Sequence, residues 1–360
     1  MEEEKDKNTD NWSYIASKWK KSVLSLKEYL LTDKEEKPSE FSYASLHLAY
    51  GDYSRANQLR ERLLHQYQGK NCEDLFPGQI CKNDYGQCYH IEHRMPLVPS
   101  SWNGKEKTDL LSHLELIPGI GSITRQKLQL EGYQSIEDLC RHPRFQPSAQ
   151  RFLDAYRQSS LEDLSQWMEH RLRRSHPAWV KLLSLTAPED WAFMDIETLG
   201  LFARPVILIG LGMIEGQELV IHQWLVRQIE EEASALMEYY RLVQRARILI
   251  TYNGQRFDIP YLQDRWSYYG IQAPLKLLSL DMLYPSRSLW KNTLPNCKLQ
   301  TLESALLKKE RCDDVPGAMV PEFYHAYLES CNPGPLVPII THNQTDIASL
   351  AELSFKLYAQ

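Results

Sequence analysis

The sequence predicts an α/β protein: a mixed sheet with flanking helices, preceded by a mainly helical module. Three observations lead there. From Trp191 onward, short apolar runs alternate with helical patterns, the order that builds an α/β layer. The first three runs follow one another directly, with Gly216 between the second and third as a hairpin turn requires. Residues 110–187, by contrast, read as helical throughout.

Residues 1–40 are polar and charge-rich, and Glu35-Glu36-Lys37-Pro38-Ser39 reads as a flexible linker. Trp12, Tyr14, Trp19 and Leu24 suggest an amphipathic helix before it. A small mixed region, 41–108, holds a helix near Ala56–Tyr67 and a turn at Asp84-Tyr85-Gly86-Gln87. Cys72, Cys81, Cys88, His90 and His93 lack the spacing of a zinc site, because no Cys-x-x-Cys pair occurs. A small hairpin with partly buried thiols is the favoured reading. The helical module spans 109–187, and Ala187-Pro188-Glu189-Asp190 marks the boundary with a last domain, 190–360.

In that domain, strands are expected at 191–197, 206–214 and 218–226, then a helix at 229–245 with Ala233, Leu236, Met237, Tyr240 and Val243 on one face. A short strand at 247–252, a helix at 258–269 and a further strand near 277–282 follow. The last helices are expected at 299–308 and 341–358.

At 360 residues the chain suits two or three domains, and its 43% hydrophobic content supports a sizeable core. No apolar run reaches the roughly 18–20 residues of a membrane span. The charged start Met1-Glu2-Glu3-Glu4-Lys5-Asp6 is not a secretory signal. With seven scattered cysteines, these features predict a cytoplasmic protein with no membrane partner. A net charge of −6 argues against a generally cationic nucleic-acid coat, though not against local basic patches.

Four acids in three segments carry the chemistry. Asp195 and Glu197 are two apart in an apolar strand, so both leave the same face of the sheet. Carboxylates in such surroundings are costly unless paired or bound to a cation. Gly200 lets the chain turn away from the strand end. Asp258 opens a helix directly after a strand and the Asn253-Gly254 turn, where the helix dipole tolerates negative charge. Asp346 follows Thr341-His342-Asn343-Gln344, which has the capping-box pattern and predicts a helix start. His342 and Asp346, four apart, share one helix face, placing a titratable base beside an acid. An all-oxygen ligand set suits Mg²⁺ or Mn²⁺, and two such ions can clamp the oxygens of an in-line displacement.

Phe193-Met194-Asp195-Ile196-Glu197-Thr198-Leu199-Gly200, Tyr252-Asn253-Gly254-Gln255-Arg256-Phe257-Asp258 and His342-Asn343-Gln344-Thr345-Asp346 resemble the three motifs of the DEDD exonuclease superfamily, which has a ribonuclease-H-like fold. Arg311-Cys312-Asp313-Asp314-Val315-Pro316-Gly317, with Pro321 and Tyr324 and the later Ser349-Leu350, is similar to its YprB-like branch of predicted nucleases. The resemblance covers about residues 190–358. It implies Asp195, Glu197, Asp258 and Asp346 as metal ligands and His342 as a catalytic residue. The superfamily's usual histidine comes five residues before the last aspartate and its usual tyrosine four before; here the histidine occupies the tyrosine's spacing.

A second signal is Leu116-Ile117-Pro118-Gly119-Ile120-Gly121-Ser122-Ile123-Thr124-Arg125-Gln126-Lys127-Leu128, with Leu130, Gly132, Tyr133 and Ile136 beyond it. It resembles a helix-hairpin-helix motif, whose free N–H groups at a helix start suit a backbone phosphate. Gly119, Gly121, Arg125 and Lys127, with Asn253 of the second motif, are the expected nucleic-acid contacts. Seven arginines between Arg141 and Arg174 add local positive charge.

The expected function is a metal-dependent nuclease, an exonuclease hydrolysing phosphodiester bonds of DNA or RNA with two Mg²⁺ or Mn²⁺ ions. The rival readings are an inactive nucleic-acid-binding scaffold and a phosphodiesterase for small nucleotides.

Overall fold

The computed structural model describes residues 43–97, 109–200, 204–311 and 314–359. The N-terminal segment 1–40 with its expected helix, and Asp313, lie outside the described residues.

Seven strands form one mixed sheet: β1 (Gly78–Asn83), β2 (Gly86–Pro96), β3 (Trp191–Thr198), β4 (Val206–Glu215), β5 (Glu218–Leu225), β6 (Ile248–Thr251) and β7 (Leu278–Asp281). Their spatial order is β1-β2-β5-β4-β3-β6-β7. β3, β4 and β5 pair antiparallel, as the directly successive runs predict. β6 and β7 join β3 in parallel, with a helix in each crossover. The hairpin of the mixed region is not a separate layer. β2 pairs with β5 from Tyr89–Leu225 to Pro96–Glu218 and extends the sheet by two strands.

Among the described residues, the helices of eight or more residues are α1 (Tyr43–Gln66), α2 (Ser122–Leu130), α3 (Gln146–Arg157), α4 (Leu161–Glu169), α5 (Glu232–Val243), α6 (Asp258–Tyr268), α7 (Leu283–Trp290), α8 (Val320–Ser330) and α9 (Leu336–Tyr358). Alternation along β3 puts Trp191 and Phe193 in one core with Ile347, Ala348 and Leu350 of α9. It puts Ala192, Met194 and Ile196 in a second core with α5 and α6. Both faces of the central strand are therefore buried, which is why it reads as a continuous apolar run broken only by its acids. A buried ion pair, Glu232 with both Arg265 Nε (2.7 Å) and Nη2 (2.6 Å), joins α5 to α6. Among the described residues no helix is long and apolar enough to cross a membrane.

Two local expectations change. The last helix starts at Leu336, not Thr341, so Thr341 lies inside α9 and caps nothing. Leu336, Ile339 and Ile340 are buried, and that packing outweighs the capping pattern. Pro338 sits in the first turn, where its missing N–H is an orphan donor anyway. The helix expected at 299–308 is one α-turn, Leu299–Leu302, running into a π-turn, Glu303–Leu307.

α9 lies against β4 at Gly210. A Cβ there would collide with Asn343 Oδ1 and stand 2.5 Å from Ile347 Cδ1. Gly210→Ala is expected to lower stability by about 1–3 kcal/mol through overpacking, read as a fall in melting temperature.

Candidate active site

β3 carries Asp195 and Glu197 on the face turned to α9, with a bulge between Glu197 and Thr198 where the strand leaves its register. From α9, the buried Asn343 donates through Nδ2 to Asp195 Oδ2 (2.8 Å) and to the Asp195 carbonyl (3.0 Å). Its Oδ1 accepts from Gln223 Nε2 on β5 (2.8 Å). One helix side chain thus fixes the orientation of the first acid.

Asp258 is the first residue of α6, as expected, and is buried. Its Oδ1 accepts the Ile196 N–H of β3 at 3.3 Å, so the two elements meet at the acid itself. The turn before it is held by Asp281 at the end of β7. That carboxylate accepts from the N–H groups of Asn253 (2.8 Å), Leu283 (3.0 Å) and Gln255 (3.3 Å). Asn253 adopts φ 66°, a left-handed conformation that asparagine tolerates.

α9 brings Asp346 and His342 to the same place. Arg311 holds them there: it donates to both oxygens of buried Glu303 (2.7 and 2.5 Å) and to Asp346. Its guanidinium also stands 3.2 Å from His342 Nδ1 and 3.6 Å from Asp314. Asp314 Oδ1 is 2.5 Å from His342 Nδ1, the nearer contact, and accepts the ring N–H there. His342 Nε2 is left facing Asp346 Oδ2 at 3.7 Å.

The electrostatics follow from this crowding. Burial first, then the charges of Asp346, Glu197 and Asp258, push Asp195 well above the usual carboxylate range. Burial and the charges of Asp346, Asp258 and Asp314 do the same for Glu197. Asp258 is raised to about 7 by burial, against the pull of its own backbone N–H and that of Ile196. Asp346 is raised by burial, with His342 and Arg311 opposing. His342 is pulled down by burial, but the Asp314 hydrogen bond and the Asp346 charge outweigh it and the net shift is upward.

Each of the four expected ligands is therefore in one constellation. The donor set is all carboxylate oxygen, the chemistry that Mg²⁺ and Mn²⁺ prefer. Its excess negative charge is met within the chain mainly by Arg311, so the residues fit a divalent cation. No three of these acids have ligand oxygens all within 4.8 Å of one another, so a bound ion would draw them inward. Arg311, Asp314, Glu303, Asn343 and Asp281 complete the arrangement. Arg311 and Asp314 fell in a segment already conspicuous in the sequence. Asp281 had the same signal as Asp195, an acid ending an apolar strand; Glu303 and Asn343 had none of their own.

The hairpin residues are not part of this constellation. Gly119 has φ 82° and Gly121 caps α2, a hairpin before a helix start. What precedes it is two short 3-10 turns, Asp109–Ser112 and Leu114–Leu116, rather than an α-helix. Lys127 is in the last turn of α2. Arg125 pairs with Glu115 at 3.2 Å. Arg141, Arg157 and Arg174 pair with Asp138, Asp154 and Glu169, which neutralises part of the basic stretch.

Residues 192–358 match the family described as the RNase_H superfamily. Over that segment the strands and their flanking helices have an RNase-H-like α/β fold. It is 28% identical over 166 residues to the uncharacterized protein YprB of Bacillus subtilis (strain 168), covering 45% of this chain and 40% of that protein's length. Among solved structures, it is similar to the family B DNA polymerase of the hyperthermophilic archaeon Pyrobaculum calidifontis at 18% identity and a TM-score of 0.38, over 48% of this chain and 25% of that one.

Proposed function

We propose that this protein is a metal-dependent nuclease, an exonuclease acting on a strand end of DNA or RNA. One observation carries the reading: Asp195, Glu197, Asp258 and Asp346 converge from β3, α6 and α9, with their carboxyls pushed up by burial and mutual repulsion. Structural acids are placed to avoid that condition; catalytic ones are held in it. Asp195, Glu197, Asp258 and Asp346 would hold two Mg²⁺ or Mn²⁺ ions, which when bound supply charge neutralisation at the attacking and leaving oxygens. Asp314 fixes the His342 ring with its Nδ1 proton engaged. Nε2 is then free to take a proton from water beside Asp346, at hydrogen-bond reach or through one water. Arg311 holds Asp346 by one oxygen and leaves the other toward His342. Asn253, with Gly119, Gly121, Arg125 and Lys127, would contact the nucleic-acid backbone rather than read its sequence.

A second reading has one observation in its favour. Arg311 already supplies a cation to Asp346, which is the arrangement of a non-catalytic scaffold that keeps the fold. Linear and circular single strands of the same DNA and RNA sequences, incubated with Mn²⁺, separate the alternatives. An exonuclease shortens the linear strands stepwise and spares the circles. Cutting of circles makes it an endonuclease. Binding without cutting supports the scaffold.

A further inference from the structure

A second cluster of potential metal ligands lies outside the carboxylate constellation. Among the described residues, the group of His, Cys, Asp or Glu side chains whose ligand atoms all lie within 4.8 Å of one another is His113, Glu115 and His176. His113 immediately precedes the 3-10 turn Leu114–Leu116, Glu115 lies in it, and the Pro118–Gly121 hairpin follows. His176 comes from the turn that leads into Ala178–Lys181 and on to β3. Two stretches far apart in the chain thus present two imidazoles and a carboxylate to one point.

We propose that His113, Glu115 and His176 form a binding site for a transition-metal dication, Zn²⁺ by the chemistry of the set. Two imidazoles with one carboxylate suit zinc rather than the hard, oxygen-seeking Mg²⁺. Three protein ligands leave a position for water, the usual count in zinc sites that keep one open. All three residues are half-buried, so an ion can reach them and the surrounding chain restrains them. The histidine rings meet edge-on with centroids 5.2 Å apart. With Zn–N and Zn–O bonds of about 2.0–2.2 Å, tetrahedral ligand atoms stand about 3.4 Å apart, so atoms within 4.8 Å of one another need close by no more than about 1.4 Å.

One neighbour supports this and one opposes it. Arg125 Nη1 lies 3.2 Å from Glu115 Oε1 and 3.3 Å from Oε2, and orients the carboxylate as a second layer around a metal does. His176 Nδ1 accepts the Ala178 N–H at 3.2 Å. Coordination through Nε2 moves the ring proton to Nδ1 and exchanges that hydrogen bond for a metal bond. Ala178 is fully buried, so its freed N–H loses a partner that water does not replace, a cost the metal bonds must outweigh. The metal would staple the entry of the hairpin to the segment that leads into the sheet.

The test uses the full chain carrying Asp195→Asn and Asp258→Asn, so that the carboxylate constellation contributes little. After chelation and dialysis, Zn²⁺ is titrated by calorimetry and Co²⁺ by visible absorption. The expected result is one equivalent of Zn²⁺, and Co²⁺ bands of a four-coordinate site with nitrogen ligands. Adding His113→Ala and His176→Ala should weaken Zn²⁺ binding at least tenfold and abolish the Co²⁺ bands. His176→Gln with Glu115→Gln, closer in volume, serves if the alanine protein no longer melts cooperatively. Less than one equivalent bound in the parent, or binding and bands unchanged by the substitutions in a folded protein, would overturn the proposal.

Discussion

Asp195→Asn is expected to abolish metal-supported cleavage and, in chelator at pH 7 and above, to raise the melting temperature. Both effects have one cause. In the metal-free protein Asp195 lies among Asp346, Glu197 and Asp258, and its ionisation is opposed by burial and by their charges. An amide keeps the hydrogen bond from Asn343 by presenting its oxygen to Nδ2, and it removes one charge from the crowd. The sign of the pH dependence follows from Asp258, raised from an ordinary value of 3.8 to about 7. Between those values the folded state keeps a proton that the unfolded state has lost. Stability in chelator therefore declines as pH rises from about 4 to about 7. Mn²⁺ should reverse the decline in wild type by binding the ionised carboxylates of the native state alone. Asp195→Asn should flatten the pH profile and blunt the Mn²⁺ effect. The activity loss should be on the order of 10²–10³-fold or more, the scale for removing one electrostatic contact to the reacting centre. Melting curves across pH, with chelator and with Mn²⁺, check the stability half independently of any substrate.

Arg311→Met should be the most destabilising single change near the site. Arg311 is the partner of Glu303, whose side chain is 1% exposed, and it also holds Asp346. Removing the guanidinium strands a buried carboxylate, at a cost of about 3–5 kcal/mol. The double variant Arg311→Met with Glu303→Gln removes the stranded charge and should recover much of that stability. It should not recover activity, because Asp346 and His342 have still lost what orients them. Chemical denaturation of the two variants measures the first expectation; initial cleavage rates measure the second. Equal stability of the single and double variants would show that Glu303 does not depend on Arg311.

The sheet was legible where the chain is locally decisive. β3, β4 and β5 are apolar runs of strand length, separated by turn residues, and their bounds fall within a residue or so of expectation. β3 announced its acids because charge in an apolar strand has few explanations. The joining of β1 and β2 to β5 was not legible, because Tyr89–Leu225 pairing depends on contacts between residues remote in sequence. The start of α9 was misread for a related reason. The Thr341 capping pattern is local, whereas the burial of Leu336, Ile339 and Ile340 is decided by the sheet beneath them. Within the site, each acid carried its own local signal. The roles of Glu303 and Asn343 did not, because each is defined only by the partner it meets across the fold. Asp314 was visible in the sequence, but its hold on His342 appears only once the chain after the π-turn folds back onto α9.

The most direct test of the central claim is Mn²⁺-dependent cleavage of end-labelled single-stranded DNA and RNA by wild type beside Asp195→Asn and Asp258→Asn. The account predicts progressive shortening of one or both substrates by wild type, and intact strands with either folded variant. Equal cleavage by all three proteins, or no cleavage by wild type while it still binds the strands, would contradict it.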